Sequence, residues 1–146
     1  MYEAVKNLHS YWAYLVLLIL IVAVANALIK TFGDKEYEAK DFRISLFTLI
    51  VSHLQLLIGL VLYFVSPRFQ VFSELGMGGV MKDAVNRLYL VEHPLVNIIA
   101  IALITIGYSK HKKKLTSNAK LKTIAVFYTL ALVLLLSRIP WNTWLG

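Results

Sequence analysis

Four apolar stretches of membrane-crossing length, at about residues 8–29, 44–66, 88–109 and 123–141, alternate along the chain with short polar segments. The second is the cleanest. From Ile44 to Ser66 it reads ISLFTLIVSHLQLLIGLVLYFVS, with no formally charged side chain, Arg43 before it and Pro67 after it. A helix rises ~1.5 Å per residue, so such a stretch spans the ~30 Å of a bilayer's hydrocarbon. The pattern predicts an all-α protein: a four-helix transmembrane bundle forming one membrane domain over residues 1–146.

The segments around the spans differ in character. Residues 1–10, MYEAVKNLHS, are a short polar lead ending near His9, just before Tyr11, Trp12 and Tyr14, aromatics of a kind that favours the membrane–water boundary. Thr31 to Arg43, TFGDKEYEAKDFR, is a compact loop of mixed sign. Pro67 to Arg87 is the longest connection, with Gly76, Gly78 and Gly79 beside Met77 and Met81. It reads as an ordered loop or a short surface helix and matches no phosphate-binding fingerprint. Lys110 to Lys122, KHKKKLTSNAKLK, is strongly basic, and His111 reads as part of that solvated loop.

Within the spans, Ala13, Ala23, Ala25, Asn26 and Ala27 let another helix approach span one closely. Ser52, Gln55 and Gly59 share one face of span two, while His53 lies on a different stripe. His93, Asn97, Ala100 and Ile104 line one stripe of span three. Pro94 lacks the N–H that would meet the carbonyl of Leu90, so that span should bend near its start.

Charge sets an orientation. The segments after spans one and three hold Lys30, Lys35, Lys40, Arg43, Lys110, Lys112, Lys113, Lys114, Lys120 and Lys122; the opposite side holds Lys6, Arg68, Lys82, Arg87 and Arg138. The positive-inside rule puts both termini on the non-cytoplasmic side. Composition agrees with lipid as the solvent: 59% of residues are hydrophobic and the mean hydropathy is +0.69. The net charge of +7 is then explained by orientation and by anionic lipid, with no nucleic acid as partner. The absence of cysteine excludes disulfides, thiolate zinc sites, iron–sulfur clusters and covalently attached haem. The apolar stretch from Tyr11 to Ile29 is too long for a secretory signal and no small-residue cleavage site follows it.

The candidate chemistry lies in three histidines and one arginine, each on a different span: His9, His53, His93 and Arg138. An ionisable side chain in a span is costly and marks a functional site by default. Counting rise from the outer ends puts His93 and Arg138 roughly 7 Å deep, His9 at or just below the surface and His53 roughly 15–20 Å deep. Neutral imidazoles projecting inward from facing helices are how a helical bundle holds haem iron or another metal. Haem b needs only two axial histidines, an apolar slot and a cation for its propionates, and Arg138 suits the last role, with Lys6 and Arg87 as weaker candidates.

The segments HSYWAYLVLL, VSHLQLLIGLVLYFVSP, VEHPLVN and SRIPW resemble a compact bacterial family of small four-helix integral-membrane b-type cytochromes. The resemblance implies non-covalent haem b, with His9, His53 and His93 as candidate axial ligands, in a multi-pass protein of the bacterial cytoplasmic membrane. Larger four-helix cytochromes often hold two haems by four histidines. Three histidines within the spans point to one haem, with the third as a proton or quinone partner. Either His9 with His93, which agree in depth, or His53 with His93 is the pair, and the expected bend at Pro94 favours the second. The implied function is electron transfer between a quinol and an acceptor at the outer face, with a redox partner protein, as a homo-oligomer or a subunit of a larger complex. Two alternatives stand beside it: a non-haem metal or proton site built on Glu92, His93, His53 and His9, as in a transporter, or a structural subunit of a membrane complex whose polar groups only specify helix pairing.

Overall fold

The computed structural model describes residues 1–144. Its long helices are α1 (Tyr2–Phe32), α2 (Ala39–Val65), α5 (His93–Lys113) and α6 (Ser117–Ser137). The shorter α3 (Val71–Lys82) and α4 (Ala84–Arg87) lie between α2 and α5, and α7 (Trp141–Trp144) follows α6. No strand occurs among the described residues. Four helices are long and apolar enough to cross a membrane, the third of them running continuously from Ala84 to Lys113. The protein is an all-α bundle and a multi-pass membrane protein.

α1 packs against α2 and α6, and α5 packs against the same two, so α1 and α5 face one another across the diagonal. The helices alternate in direction. The two tight loops, 33–38 and 114–116, share the lysine-rich end, and the chain termini and the segment 66–83 share the other, the terminal end.

All four spanning helices begin earlier than the apolar runs suggest, at Tyr2, Ala39, Ala84 and Ser117. α1 starts at Tyr2, passing through Glu3, Lys6 and Asn7, because backbone hydrogen bonds continue through polar residues as readily as through apolar ones. α6 instead stops short, at Ser137. Arg138 takes φ −126° and ψ 19°, and Pro140 disfavours helical backbone at Ile139, so the SRIPW segment turns out of the span. The connection 67–87 is ordered, as its composition suggests: a 3-10 turn over Pro67–Gln70, then α3, broken at Gly76, whose φ of 70° is a conformation suited to glycine. The bend expected at Pro94 is a wide π-helical turn over Leu88–Glu92. The Tyr63 hydroxyl donates to the Leu90 carbonyl at 2.9 Å, supplying the partner that Pro94 cannot.

The close-packed core runs through Leu20, Ala23, Val24 and Ala27 of α1, Ala100 and Ile104 of α5, and Ile124, Ala125, Tyr128, Ala131 and Leu135 of α6. Small residues bring the helices together. At Gly107 a Cβ would lie 2.4 Å from the Phe127 Cβ, so Gly107→Ala must push α5 away from α6. That overpacking should cost about 1–3 kcal/mol, read as a lower unfolding temperature in detergent.

The lysine-rich end carries a polar network. Lys30 is 8% exposed and Asp41 4%, and their charged groups meet at 2.6 Å. Asp41 also accepts from the Asn26 amide at 2.7 Å and from the Glu38 backbone N–H at 2.7 Å, closing a capping box on α2. His111 departs from its reading as a solvated loop residue. It occupies the last turn of α5 and is fully buried, one ring nitrogen on the Tyr108 carbonyl and the other 2.9 Å from the Tyr37 hydroxyl. The helix turns its imidazole inward while the neighbouring lysines stay in water.

Burial, reinforced by the Asp41 carboxylate, pushes the Tyr37 phenol up to about 12. An unfolded tyrosine titrates near pH ~10, so the folded state holds this proton more tightly. The resulting stabilisation is complete below pH ~10 and is lost as pH rises toward 12. Unfolding midpoints should therefore fall between pH ~10 and ~12 in the wild type, and fall less in Tyr37→Phe.

Candidate functional site

The structure brings His9 and His93 together and leaves His53 in another layer. His9 lies two turns inside α1, which begins at Tyr2. His93 opens α5 just after the π-helical turn. Their ring centroids are 6.2 Å apart with the planes at 82°, across the bundle's diagonal.

Both rings are held by their surroundings. His93 Nδ1 lies 2.9 Å from the Arg138 carbonyl, so it is the protonated nitrogen, and Nε2 keeps its lone pair. The turn after Ser137 that takes Arg138 out of α6 also presents this carbonyl. The Asn97 amide, one turn along α5, lies 3.1 Å from Nε2. The edge of His9 rests on Gly59 of α2, where a Cβ would come within 3.3 Å of the ring. Gln55, one turn away, donates to the His9 carbonyl at 2.9 Å. Three buried polar atoms in this layer have no hydrogen-bond partner: His9 Nδ1, Gln55 Oε1 and Asn97 Oδ1. Each belongs to a different helix. Buried polar atoms are ordinarily satisfied, so three together mark a place shaped for something more than helix packing.

His53 has its own partners. Nδ1 is 2.8 Å from the carbonyl of Leu49 in its own helix, and Nε2 is 3.3 Å from the Thr105 hydroxyl of α5. Thr105 lies twelve residues beyond His93, roughly 18 Å along the helix. The expected pairing of His53 with His93 is therefore not formed: the turn at Pro94 does not lower His93 to the level of His53.

Arg138 contributes its carbonyl more than its charge. Its guanidinium donates to the Ser137 carbonyl and lies 3.7 Å from Glu92, which also accepts from Arg87 at 2.9 Å. Lys6 pairs with Glu3 at 3.3 Å. Glu92 does not join the histidines, and among the described residues no three His, Asp or Glu side chains converge as a metal site. Sequence reasoning placed Asn97 and His93 on one stripe but did not find the Arg138 carbonyl, since backbone acceptors leave no mark in side-chain patterns.

No protein-family model, curated protein or solved structure matches this chain. The chemistry of the site must be read from its donors. Two imidazole nitrogens suit a metal whose remaining positions are filled by another ligand, and a zinc-type site, which needs at least three protein ligands, does not fit.

Proposed function

We propose that this protein is a small membrane b-type cytochrome in which His9 and His93 are the axial ligands of one haem b. The observation that carries the reading is the separation of the two rings. A metal–imidazole bond is about 2 Å and the ring centroid about 1.1 Å beyond it, so two such rings sharing one metal stand about 6.2 Å apart. In the structure the centroids stand 6.2 Å apart. A macrocycle that brings four of the six iron ligands also accounts for a site with only two histidines and no third acidic or imidazole ligand.

When bound, haem b supplies reversible one-electron exchange. The protein's own residues do the rest. The Arg138 carbonyl fixes the tautomer and direction of His93, the role a second-shell acceptor plays for a ligating histidine. The His93 Nε2 lone pair, 3.1 Å from the Asn97 amide, is the one that would be available to hold the iron. Gly59, lacking a Cβ, lets the His9 ring lie directly against α2. Arg87 and Arg138 flank Glu92 at the terminal end and supply cations for anionic propionates. His53 then serves as a polar group in its own layer. The surplus of lysine at the opposite end puts the site toward the non-cytoplasmic face of a bacterial inner membrane. There a quinol in the bilayer is the donor, and a partner protein at the surface is the acceptor.

A second reading, a closed hydrogen-bonded layer that only orients the helices, is favoured by the Asn97 amide on His93. Hemin added to detergent-purified protein separates the two. The cytochrome reading predicts a Soret band that saturates at a single equivalent. A linear rise with no break, as for free hemin in detergent, would favour the structural reading.

A further inference from the structure

One stripe of the buried face of α2, beside the apolar Val51, is made of polar and small residues. Asp41, Ser45, Thr48, Ser52, Gln55 and Gly59 follow one another at alternating spacings of four and three, a single helical stripe. In a bundle these inward positions are normally apolar. Here Asp41, Ser45, Thr48 and Ser52 are all buried, the last two completely. Ser45 and Thr48 donate to carbonyls of their own helix, at 2.8 Å each, and keep lone pairs free. Ser52 Oγ and Gln55 Oε1 are buried with no partner at all. Helix packing alone needs small residues, which alanine would supply at no desolvation cost; it does not need two orphaned oxygens in succession.

Both ends of the stripe meet other polar groups. At the lysine-rich end Asp41 is tied to Lys30, and Lys30 also holds the exposed Glu38 at 3.0 Å. A small cavity there is lined by Asn26, Tyr37, Asp41 and Ser45. The Tyr128 hydroxyl of α6 donates to the Ser45 carbonyl, and Tyr37 continues to His111. At the other end Gln55 reaches the outer polar layer through the backbone of His9. From Asp41 to Gln55 the stripe covers roughly 21 Å.

We infer that this stripe is a proton path across the bundle, from the exposed Glu38 and buried Asp41 at the lysine-rich end to Gln55 in the polar layer of the terminal end. Neighbouring members stand one turn apart, about 5–6 Å, so that a single water between two of them would complete each step. At each step a proton binds an oxygen lone pair on one side while the proton already there leaves on the other. One proton moves through, and nothing is oxidised or reduced. The path rests on the stripe and not on a bound haem, although it would supply the proposed redox site.

The experiment uses full-length protein in liposomes with a trapped pH dye and a potassium diffusion potential set by valinomycin. Wild-type vesicles should equilibrate protons several-fold faster than protein-free vesicles. Ser52→Val should return the rate to the protein-free value, while lipid-facing Leu57→Val should leave it unchanged. Ser52→Cys, the only thiol in the chain, preserves volume if valine does not fold, and silver ion should block its flux but not that of the wild type. A wild-type rate equal to protein-free vesicles, a folded Ser52→Val that still conducts, or Ser52→Cys indifferent to silver would overturn the path and leave a packing stripe. An absorption spectrum taken on the same sample keeps this outcome apart from the cytochrome reading: haem without flux sinks only the path, and flux without haem sinks only the cytochrome.

Discussion

His93→Ala and His9→Ala should each lose haem, and His53→Ala should keep it. Removing a residue that merely orients a ligating histidine typically weakens metal binding 10–100-fold, so removing a ligand itself should weaken it by more than about 100-fold. His53 shares no contact with the pair; its nitrogens face the Leu49 carbonyl and the Thr105 hydroxyl. Its loss should alter helix packing slightly and the spectrum not at all. Free imidazole added to His93→Ala should restore part of the Soret band, because the space left by the ring lies beside a lone pair's former partner, Asn97. The measurement is haem per chain after purification, with and without imidazole. Equal loss in all three variants would mean that the histidines act through folding.

Asp41→Ala should be the most destabilising change at the lysine-rich end. It strands the Lys30 ammonium, 8% exposed, with only Glu38 as a partner, and it removes the acceptor of the Asn26 amide and of the α2 cap. Breaking a buried pair from one side costs about 3–5 kcal/mol, whereas replacing both members with apolar residues is close to neutral. Lys30→Met with Asp41→Leu should therefore be more stable than Asp41→Ala alone. Thermal unfolding in detergent reads both. If the single variant melts with the wild type, the pair is solvated and contributes nothing.

The fold was legible because membrane spans announce themselves by length and hydropathy, which no tertiary contact can override. The ends of the helices were less so. Polar residues such as Glu3 and Lys6 continue a helix as well as leucine does, whereas Pro67 and Pro140 each follow a true stop. The pairing of His9 with His93 was legible from their similar depth; the bend expected at Pro94 favoured His53 instead, and the wide turn over Leu88–Glu92 does not bring His93 to that level. His9 falls two turns inside α1, with its ring against Gly59 of α2, a contact that no count of apolar residues reveals. His111 was misread because a run of lysines suggests water on all sides, whereas a helix sends one residue per turn inward. The polar row of α2 was half visible, as Ser52, Gln55 and Gly59. Its continuation through Thr48 and Ser45 to Asp41 follows from the same spacing, but crosses the boundary once drawn between loop and span.

The central claim is that His9 and His93 meet on one haem. The most direct measurement is the visible spectrum of protein purified from haem-supplemented cells, before and after dithionite. The account predicts a sharp Soret band and resolved α and β bands on reduction, the signature of iron with two imidazole ligands, from a single haem per chain. A purified, folded protein with no absorption beyond that of its tyrosines and tryptophans would contradict it.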